Sequence, residues 1–495
     1  MSVKTLMIMG TGSDVGKSLV VAGLCRAFAL RGLKVMPFKP QNMSNNAAVT
    51  ADGGEIGRAQ ALQARAAKVA PTTAMNPVLL KPEHETGAQV IVRGKRVGSM
   101  PAAEYFATRV QFLAPVLEAF EEVCAGADLV LVEGAGSASE INLRANDIAN
   151  FGFAQAVKAP VIILGDIQRG GVIASLVGTF EVIDPMDAHL IVATMINRFQ
   201  GDTSLFEQGM RQIEQMTKRR CFGPIPFFDR ASQLPAEDIL GLVDEGATGT
   251  EDEVLIAVPR LPRISNFDDL DPLKLHPNVR IKIVAPGNPI PIDAKLILLP
   301  GSKSTRADLA FLQQQGWDID IKSHARRGGK VLGICGGFQM LGNSIADPEG
   351  IEGAPGTSKG LGLLAVDGVL SSSKNLRTEN AKDTRLKCAI HGYHMHMGVT
   401  EGNDCARPFS MQSNEGEGAI SATGNVMGTY LHGLFSADKF RTAFLSDLGK
   451  IPRTPLNYET IIEEILDELA EHLEKNLNLD ALLALAQTPN ILDTK

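Results

Sequence analysis

The segment Gly10-Thr-Gly-Ser-Asp-Val-Gly-Lys-Ser18 decides the fold of the first half of the chain. It follows Thr5–Met9, an apolar run typical of a buried parallel strand, and it leads into Gly16–Leu30, whose apolar residues recur at helical spacing. A glycine-rich loop between a strand and a helix presents successive backbone N–H groups to phosphate. The spacing therefore predicts a phosphate-binding loop, although Thr11 stands where the usual motif has its first glycine.

Within this loop each residue type has an expected task. We expect Thr11, Gly12 and Gly16 to contact ATP through the backbone, because glycine allows the closest approach to phosphate. Lys17 is expected to meet the β- and γ-phosphates, and the Ser18 hydroxyl to ligate Mg²⁺. The alternative is a tight turn that contains Gly-Lys-Ser by chance, and the flanking strand and helix disfavour it.

The same alternation of strands and helices continues along the first half of the sequence. Further apolar runs of strand length are Lys34–Phe38, Leu129–Glu133, Val161–Asp166 and Ile191–Ile196. This alternation predicts a doubly wound parallel sheet, so we expect residues 1–230 to form an α/β domain that binds ATP.

The second half repeats the α/β pattern after a polar, acidic stretch. Residues 231–250 are predicted to be a linker, residues 251–447 a second α/β domain, and residues 448–495 a helical tail. Predicted strands of the second domain are Val254–Val258, Ile281–Val284, Leu296–Leu299 and Lys330–Ile334. The amphipathic segment Tyr458–Leu477 is expected to pack as a helix on this second domain.

Composition limits the class of protein. The chain has 495 residues, enough for two or three domains, and its net charge of −8 argues against a nucleic-acid binder. The start lacks the pattern of a signal peptide, and no apolar stretch is long enough to span a membrane. The six cysteines lie far apart without a CxxC pair, which favours reduced thiols in a cytosol. We therefore expect a cytoplasmic protein that binds neither nucleic acid nor membrane, and the oligomeric state stays open.

Cys335 is the candidate nucleophile of the second domain. It lies between the predicted strand Lys330–Ile334 and a helix beginning at Gly336, where a sharp turn exposes a side chain. The helix N-terminus lowers the pKa of a thiol at such a position. The alternative is that Cys335 is a small buried core residue, as free cysteines often are.

Two other segments favour a catalytic role for Cys335. Leu298–Thr305 (LLPGSKST) resembles the oxyanion strand of class I glutamine amidotransferase domains, which implies that Gly301 or the Ser302 amide acts with the Gly336 amide. Gly428–Phe435 (GTYLHGLF) resembles the segment that carries the catalytic histidine of that family, here His432.

One position departs from that resemblance. Most class I domains have a glutamate two residues after the histidine, and this chain has Leu434. A backbone carbonyl or another side chain must therefore orient His432. His391, His394 and His396 form a further cluster, which we interpret as structural or cleft-lining rather than metal-binding, because a metal needs a third or fourth converging ligand.

The first domain resembles the dethiobiotin synthetases, which phosphorylate a carboxylate with ATP. The resemblance rests on GTGSDVGKS, on FKP (Phe38–Pro40) and on VLVEGAG (Val130–Gly136). It implies that Lys39 lies beside the transferred phosphoryl group and that Glu133 is a Mg²⁺ ligand. INRF (Ile196–Phe199) falls where related ATPases build the adenine pocket, so Asn197 is a candidate adenine contact.

Across almost its whole length the sequence resembles the cobyric acid synthase family. The segments that carry this resemblance are KPQNMSNNA (39–47), VEGAGSASEINLRANDIANFGFA (132–154), GDIQRGG (165–171) and LPRISNFDDLDPL (261–273). The resemblance implies amidation of the b, d, e and g carboxylates of adenosylcobyrinic acid a,c-diamide to give adenosylcobyric acid. It also implies acyl phosphate intermediates, ATP and glutamine as co-substrates, Mg²⁺, and catalysis by Cys335, His432, Lys17 and Lys39.

Several acidic residues are candidates for the same metal ion. Asp147, in the RANDIANF segment, either contacts Mg²⁺ or the reaction intermediate, or it caps a helix N-terminus. Asp52 and Glu55, in TADGGEIG, are further metal candidates between which the sequence does not choose.

Three other functions compete with this interpretation. Cobyrinic acid a,c-diamide synthase, or another amidotransferase of the same architecture, is the nearest. A partition-type regulatory ATPase is disfavoured, because such switches carry a second lysine early in the phosphate loop and this chain has Thr11, Gly12 and Ser13 there. A glutamine-binding scaffold without activity is disfavoured by the intact Cys335 and His432.

Overall fold

The computed structural model describes residues 2–84, 87–237, 253–413, 415–449 and 456–491. Over these residues the chain forms two α/β halves, as predicted, and each is built on its own mostly parallel sheet. Among the described helices, not one combines the length and the apolar character that crossing a bilayer requires.

The first half comprises strands β1–β12 and helices α1–α8. The strands are Lys4–Gly10, Val35–Phe38, Gln41–Met43, Ala47–Val49, Glu55–Gly57, Val78–His84, Gly87–Val92, Lys95–Pro101, Leu129–Glu133, Val161–Asp166, Ile191–Asn197 and Arg220–Phe222. The helices are Lys17–Leu30, Arg58–Ala66, Ala102–Thr108, Leu113–Ala125, Phe151–Val157, Val172–Val182, Pro185–Ala188 and Glu207–Thr217.

Its main sheet is parallel, with strand order β12-β11-β10-β1-β9-β2. Alternate residues of β1 enter different cores: Met7 and Met9 pack on one face, and Leu6 and Ile8 on the other. A strand buried on both faces reads as a continuous apolar run, which is why all five predicted strands of this sheet are confirmed. A smaller sheet, β3-β6-β7-β8, extends from this half towards the second.

The second half comprises strands β13–β27 and helices α9–α15. The strands are Val254–Pro259, Ile264–Ser265, Val279–Val284, Leu296–Leu299, Gly301–Ser302, Lys330–Ile334, Ser344–Asp347, Gly356–Lys359, Val366–Asp383, Ala389–Gly402, Ser410–Gln412, Glu415–Glu417, Ala419–Ile420, Val426–Thr429 and Leu431–His432. The helices are Asp271–Lys274, Thr305–Gln314, Trp317–Arg326, Gly336–Leu341, Asp438–Leu448, Tyr458–Asn476 and Leu479–Leu485.

Its main sheet has strand order β15-β13-β16-β18-β26-β25, with only β25 antiparallel, and it includes all four strands predicted for this half. A second sheet, built on the long antiparallel pair β21 and β22, carries β27 at its edge. The elbow between β18 and α12 places Cys335 at the carboxyl end of the main sheet, and β27 places His432 beside it.

The predicted position of the C-terminal helix is wrong. Helix α14 packs on α1 of the first half, where a Cβ added to Gly23 would lie 2.6 Å from Leu473 Cδ1. The buried Arg26 of α1 forms an ion pair with Glu463 of α14. After α15 the chain pairs with β1, where the Thr5 amide donates to the Gln487 carbonyl over 2.8 Å. The amphipathic pattern of Tyr458–Leu477 correctly predicted which face of α14 is buried, but it did not show that α1 of the first half is what that face packs against.

The predicted linker also needs correction at its start. Within residues 231–237, Leu234 is buried in the first half's core, and Glu237 enters the phosphate-loop site. The remaining residues of the predicted linker, 238–250, lie outside the described residues.

Candidate active sites

The phosphate loop joins β1 to α1 as predicted, and its lysine is held by backbone carbonyls. Lys17 Nζ donates to the carbonyls of Gly12, Ser13 and Gly136 over 2.8, 3.1 and 2.9 Å. Burial lowers the pKa of Lys17 to about 8, although Glu133 acts in the opposite direction. Gly16 is required at its position, since its φ is +92° and a Cβ there would lie 2.4 Å from Asn197 Nδ2.

Four predicted residues meet at the carboxyl end of the sheet. Ser18 Oγ and Lys39 Nζ each donate to Glu133 Oε1 over 2.8 Å, and Glu133 is 1% exposed. Lys17 lies close enough for Glu133 to influence its charge. The structure therefore brings together Lys17, Ser18, Lys39 and Glu133, which are far apart in sequence.

Glu237 is a further member of this site that the sequence did not suggest. Its carboxylate accepts from Ser18 Oγ over 2.9 Å and from Lys39 Nζ over 3.2 Å. Burial raises the pKa of Glu237, but Lys39 and hydrogen bonds from Asn42 and Ser18 outweigh burial and lower it. Burial likewise opposes the charge of Lys39, and Glu133 with Glu237 raises the pKa of Lys39 above its usual range.

A cavity of about 720 Å³ opens beside these groups. Lys17, Ser18, Lys39, Glu133 and Glu237 line one end of it. Its lining also includes Phe106, Arg109, Ile141, Arg144 and Val182. The cavity is therefore large enough for more than a phosphate group and combines apolar with cationic walls.

Two residues predicted to bind ATP have other contacts. Asn197 lies beneath the loop and donates from Nδ2 to the Val15 carbonyl over 3.0 Å, and the 720 Å³ cavity does not include it among its lining residues. The Thr11 amide donates to the Leu164 carbonyl over 2.9 Å, which ties the loop to β10. Thr11 therefore anchors the loop instead of offering its N–H to phosphate, whereas an adenine contact by Asn197 stays a prediction.

Of the three weaker metal candidates, Asp147 lines the 720 Å³ cavity, whereas Asp52 and Glu55 do not. Asp147 is a cap: its carboxylate accepts from the amides of Ala149, Asn150 and Gly152 over 2.8–3.2 Å. The capping contacts of the second alternative are therefore present, and a contact of Asp147 with Mg²⁺ or the intermediate stays a prediction.

Asp52 and Glu55 are occupied elsewhere. Asp52 is exposed and accepts from the amide and hydroxyl of Thr73 over 3.1 and 2.7 Å. Glu55 is 1% exposed and pairs with Lys81 and Lys374. Burial raises the pKa of Glu55, but these two lysines lower it to about 2. Neither residue lines the cavity of the phosphate-loop site.

Cys335 has the backbone geometry of a nucleophile on a sharp turn, and it is 7% exposed. Its φ is +54° and its ψ −111°, a conformation that non-glycine residues rarely adopt and that α12 follows at once. Its amide donates to the Thr429 carbonyl over 2.8 Å, which fixes the elbow against β26. The side chain lines a cavity of about 60 Å³ that also receives Lys81 and Glu83 of β6 from the first half.

His432 lies beside Cys335 and is oriented by Asp269. The ring Nδ1 lies 2.8 Å from Asp269 Oδ2, and the other Asp269 oxygen accepts from the Gly433 amide over 2.6 Å. His432 Nε2 is buried without a hydrogen-bond partner among the described residues, on the ring edge left for Cys335. Leu434, where most class I domains have the orienting glutamate, is fully buried in the core. The side chain of Asp269, and not that of residue 434, therefore orients His432. Orientation by another side chain was one of the two alternatives that the sequence left open.

The charge of His432 follows from these neighbours. Burial lowers its pKa, but the Asp269 carboxylate and the Cys335 side chain raise it, and the result is a pKa of about 10. A protonated imidazole at neutral pH favours the thiolate form of an adjacent cysteine, which is the nucleophilic form.

The predicted oxyanion residues face one another. β17, which carries Gly301, pairs with β14, and Gly301 lies so close to His432 that an added Cβ would be 3.1 Å from the ring Cε1. A Cβ on Gly336 would lie 2.9 Å from the Ser302 amide nitrogen. The backbone of Ser302 in β17 therefore lies beside Gly336 at the start of α12, and the role of the two amides as oxyanion donors stays a prediction.

The histidine cluster has ordinary packing contacts. His394 and His396 share one face of β22, as predicted; His394 Nε2 contacts Gln412, and the ring of His396 stacks on Tyr430 at 3.9 Å. Burial lowers the pKa of His394 to about 4 and that of His396 to about 3. In the described part of the chain, three or more His, Cys, Asp or Glu side chains nowhere converge in a metal-binding group.

Known families match both halves. Residues 6–241 match the CobQ/CobB/MinD/ParA nucleotide binding domain, and residues 255–440 match the CobB/CobQ-like glutamine amidotransferase domain. A cobyric acid synthase from Cereibacter sphaeroides is 56% identical over 97% of this chain and 99% of its own length. Cobyric acid synthases from Rhodobacter capsulatus and Bradyrhizobium diazoefficiens are each 57% identical, over 97% and 98% of this chain and 99% and 100% of their own lengths.

Fold, sites and matches together define an ATP-dependent glutamine amidotransferase, a carbon–nitrogen ligase with a nucleotide-binding domain joined to a glutamine amidotransferase domain. More narrowly, the chain belongs to the cobyric acid synthase family, whose members act in cobalamin biosynthesis.

Proposed function

We propose that this enzyme converts the b, d, e and g carboxylates of adenosylcobyrinic acid a,c-diamide into primary amides and so forms adenosylcobyric acid. The observation that carries the proposal is the presence of two separate sites in one chain. One places Cys335 beside a His432–Asp269 pair, and the other gathers Lys17 and Lys39 around a buried glutamate.

The Cys335 site releases ammonia from glutamine. The thiolate attacks the carboxamide carbon, the C–N bond breaks, and the His432 imidazolium donates a proton to the departing ammonia. Water then cleaves the thioester with His432 as base, so the balance is glutamine plus water giving glutamate, ammonia and a proton. The Ser302 and Gly336 amides are positioned to stabilise the oxyanion of both tetrahedral intermediates.

The phosphate-loop site activates the acceptor. A carboxylate is a poor electrophile, and ammonia cannot displace oxide from it. Transfer of the γ-phosphoryl group from ATP gives an acyl phosphate and ADP, and attack by ammonia then gives the amide and hydrogen phosphate. Lys17 and Lys39 offset the negative charge that accumulates during this transfer.

The residues of this site fit a magnesium ion. Ser18 Oγ and Glu133 Oε1 lie 2.8 Å apart and are hard oxygen donors, and the Glu237 carboxylate adds a third. When bound, Mg²⁺ supplies charge neutralisation of the phosphates. Ser18, Glu133 and Glu237 are the residues that would hold it, and Lys39 would then be released towards the phosphoryl group.

The corrinoid acceptor belongs in the 720 Å³ cavity. Its walls offer Phe106, Ile141 and Val182 for the apolar framework of the acceptor. Arg109 and Arg144 also line it, although Arg109 donates to the Asn146 and Leu143 carbonyls and Arg144 pairs with Asp187. Because the cavity ends at Lys39 and Glu133, a side-chain carboxylate entering it would reach the transferred phosphoryl group. We further propose that the enzyme is cytoplasmic and that neither nucleic acid nor membrane is a partner. The cytoplasmic location is supported by the six cysteines, which are all unpaired.

The test is to incubate the pure enzyme with ATP, Mg²⁺, glutamine and individual corrinoid acids, and to weigh the products. Each amidation replaces a hydroxyl by an amino group, which mass spectrometry resolves, and fragmentation locates the amides. The a,c-diamide should gain amides at b, d, e and g. Amidation of cobyrinic acid at a and c, with the a,c-diamide left unchanged, would instead identify an a,c-diamide synthase.

A further inference from the structure

The imidazole of His432 has a tyrosine ring stacked on one face. Tyr393 of β22 lies directly opposite His432 of β27 in the antiparallel pairing of the two strands. Their ring centroids are 5.2 Å apart, and the ring planes differ by 15°. Side chains that face each other across two strands are close enough for such contact. The Tyr393 ring therefore limits the tilt of the imidazole, whereas Asp269 fixes its rotation through Nδ1.

The hydroxyl group of Tyr393 uses its full hydrogen-bonding capacity. It accepts from Arg58 Nη2 over 2.9 Å and from Asn266 Nδ2 over 3.1 Å. It donates to the Asp268 carboxylate over 3.1 Å. A phenol oxygen has one proton and two lone pairs, so these three partners saturate it. The far end of the buried Tyr393 side chain is therefore held at a defined position.

One of these partners, Arg58, belongs to the first half of the chain. It is the first residue of α2, and its guanidinium also pairs with Asp268 over 2.7 Å. Helix α2 is fixed in the first half, because Ala64 and Ala66 are fully buried in the cores on the two faces of its main sheet. The first half therefore supplies a cation that holds Asp268 and the Tyr393 hydroxyl.

Asp268 needs a cation because it is the neighbour of the acid that orients His432. Burial raises the pKa of Asp268 and Asp269 adds to this rise, whereas Arg58 is the strongest influence in the opposite direction. The next cation that acts on Asp268 is the His432 imidazolium. A buried carboxylate that loses its cation takes up a proton or finds another donor. Arg58 thus engages Asp268 and leaves the imidazole to Asp269.

We propose that Arg58 is a positioning residue for glutamine hydrolysis at Cys335. It holds the Tyr393 hydroxyl, and the Tyr393 ring in turn holds His432 in the plane that meets the thiol. Arg58 acts through these side chains, since it is not among the residues that line the 60 Å³ cavity. This role rests on the proposed function, because it requires that Cys335 hydrolyses glutamine.

The test is steady-state hydrolysis of glutamine by Arg58→Met in the full chain, a change that removes the charge and keeps an unbranched side chain. We expect kcat to fall about tenfold or more, because His432 is no longer held. KM should stay within about twofold, because Arg58 does not touch glutamine. Synthesis from added ammonium salt bypasses Cys335 and should also stay within about twofold. A residue that only joined the two halves would not produce this pattern.

Two further variants separate positioning from the joining of the halves. Arg58→Met combined with Asp268→Asn removes the carboxylate that is left unpaired, so it should raise kcat about threefold or more above that of Arg58→Met alone. Tyr393→Phe keeps the stacked ring and the ion pair between Arg58 and Asp268, but it removes the anchored hydroxyl. It should lower kcat about threefold or more without changing KM.

Arg65→Met is the matched control, because Arg65 lies two turns further along the same helix and pairs with Glu459 and Glu463 of α14. It should leave kcat and KM unchanged. Normal kcat in Arg58→Met would overturn the proposal, and so would an equal loss of hydrolysis and ammonium-dependent synthesis in that variant. If Arg58→Met does not fold, normal kcat in Tyr393→Phe would overturn it. Failure of the unchanged chain to hydrolyse glutamine would instead refute the proposed function.

Discussion

Asp269 Oδ2 lies 2.8 Å from Nδ1 of His432, although 163 positions separate the two residues in sequence. The second oxygen of the carboxylate accepts from the Gly433 amide, so the acid is fixed to the turn that carries the histidine. With Nδ1 engaged, Nε2 faces Cys335. This is the arrangement of a catalytic triad with its acid supplied from a different part of the chain.

We expect Asp269→Asn to lower the rate of glutamine hydrolysis by roughly a hundredfold or more, because the amide favours the wrong tautomer of His432. Synthesis from added ammonium salt should be unaffected, since it bypasses this site. Asp293→Asn, at an exposed position, is the matched control. Measured rates above half of normal in Asp269→Asn would exclude Asp269 from the mechanism.

The pKa of His432, raised to about 10, predicts a dependence of stability on pH. A raised pKa contributes stability that is complete below the unfolded value of about 6.5 and is lost as pH rises to about 10, at no more than about 1.4 kcal/mol per pH unit. Urea unfolding at several pH values measures the free energy of unfolding of the unchanged chain and of Asp269→Asn. The unchanged chain should be the more stable at about pH 6.5, and its advantage should shrink as the pH rises to about 10. A constant advantage would contradict a raised pKa.

Leu434→Glu should not improve glutamine hydrolysis, because Asp269 already occupies Nδ1 of His432. Leu434 is fully buried, so the new carboxylate should destabilise the fold by about 1–3 kcal/mol or more. Thermal unfolding and the glutaminase rate of Leu434→Gln, which lacks the charge, provide the comparison. A large increase in rate would mean that Asp269 does not serve as the acid.

Lys17→Ala should depress amide synthesis from either nitrogen source by about a hundredfold or more, because the ammonium group interacts most strongly with the phosphoryl group in transfer. Hydrolysis of glutamine without ATP should persist on the same preparation, which also shows that the variant is folded. Near-normal synthesis would remove Lys17 from the mechanism.

The contact between α1 and α14 predicts opposite effects of the same substitution at two helical glycines. Gly178, in α6, has no atom within 4 Å of an added Cβ, so Gly178→Ala should stabilise the protein by about 0.5–1 kcal/mol. Gly23→Ala should lose that gain and destabilise by about 1–3 kcal/mol, because its Cβ would overlap Leu473 and Leu469. Denaturant unfolding measures both; equal stabilisation would mean that α14 does not pack on α1.

The parts of the fold that the sequence predicts are those with local signals. Buried parallel strands read as short apolar runs, and the loop at Lys17 and the elbow at Cys335 each lie within one strand–turn–helix unit. The resemblance to the dethiobiotin synthetases implied that Ser18 and Glu133 share one site, and the two side chains do meet.

The remaining parts depend on contacts between distant segments. Asp269 stands next to Asp268 in an acidic run, and the sequence does not show which of the two contacts His432. The packing of that run against β27 brings Asp269 to His432, whereas the carboxylate of Asp268 pairs with Arg58. Glu237 lies in a polar, acidic stretch whose composition is that of a linker. The hydrophobic face of α14 fits any apolar surface, so its pattern could not identify α1 as the partner.

The return of the chain to the first half after the glutaminase half has a mechanical consequence. Because the chain leaves the first half after Glu237 and is anchored there again by α14, the glutaminase half is attached at two points, like an inserted module. Three ion pairs also join the halves directly: Arg58 with Asp268, Lys374 with Glu55 and Lys303 with Glu83. Together with the two attachments, these pairs oppose the free swinging of the Cys335 site relative to the phosphate loop that a single tether would allow.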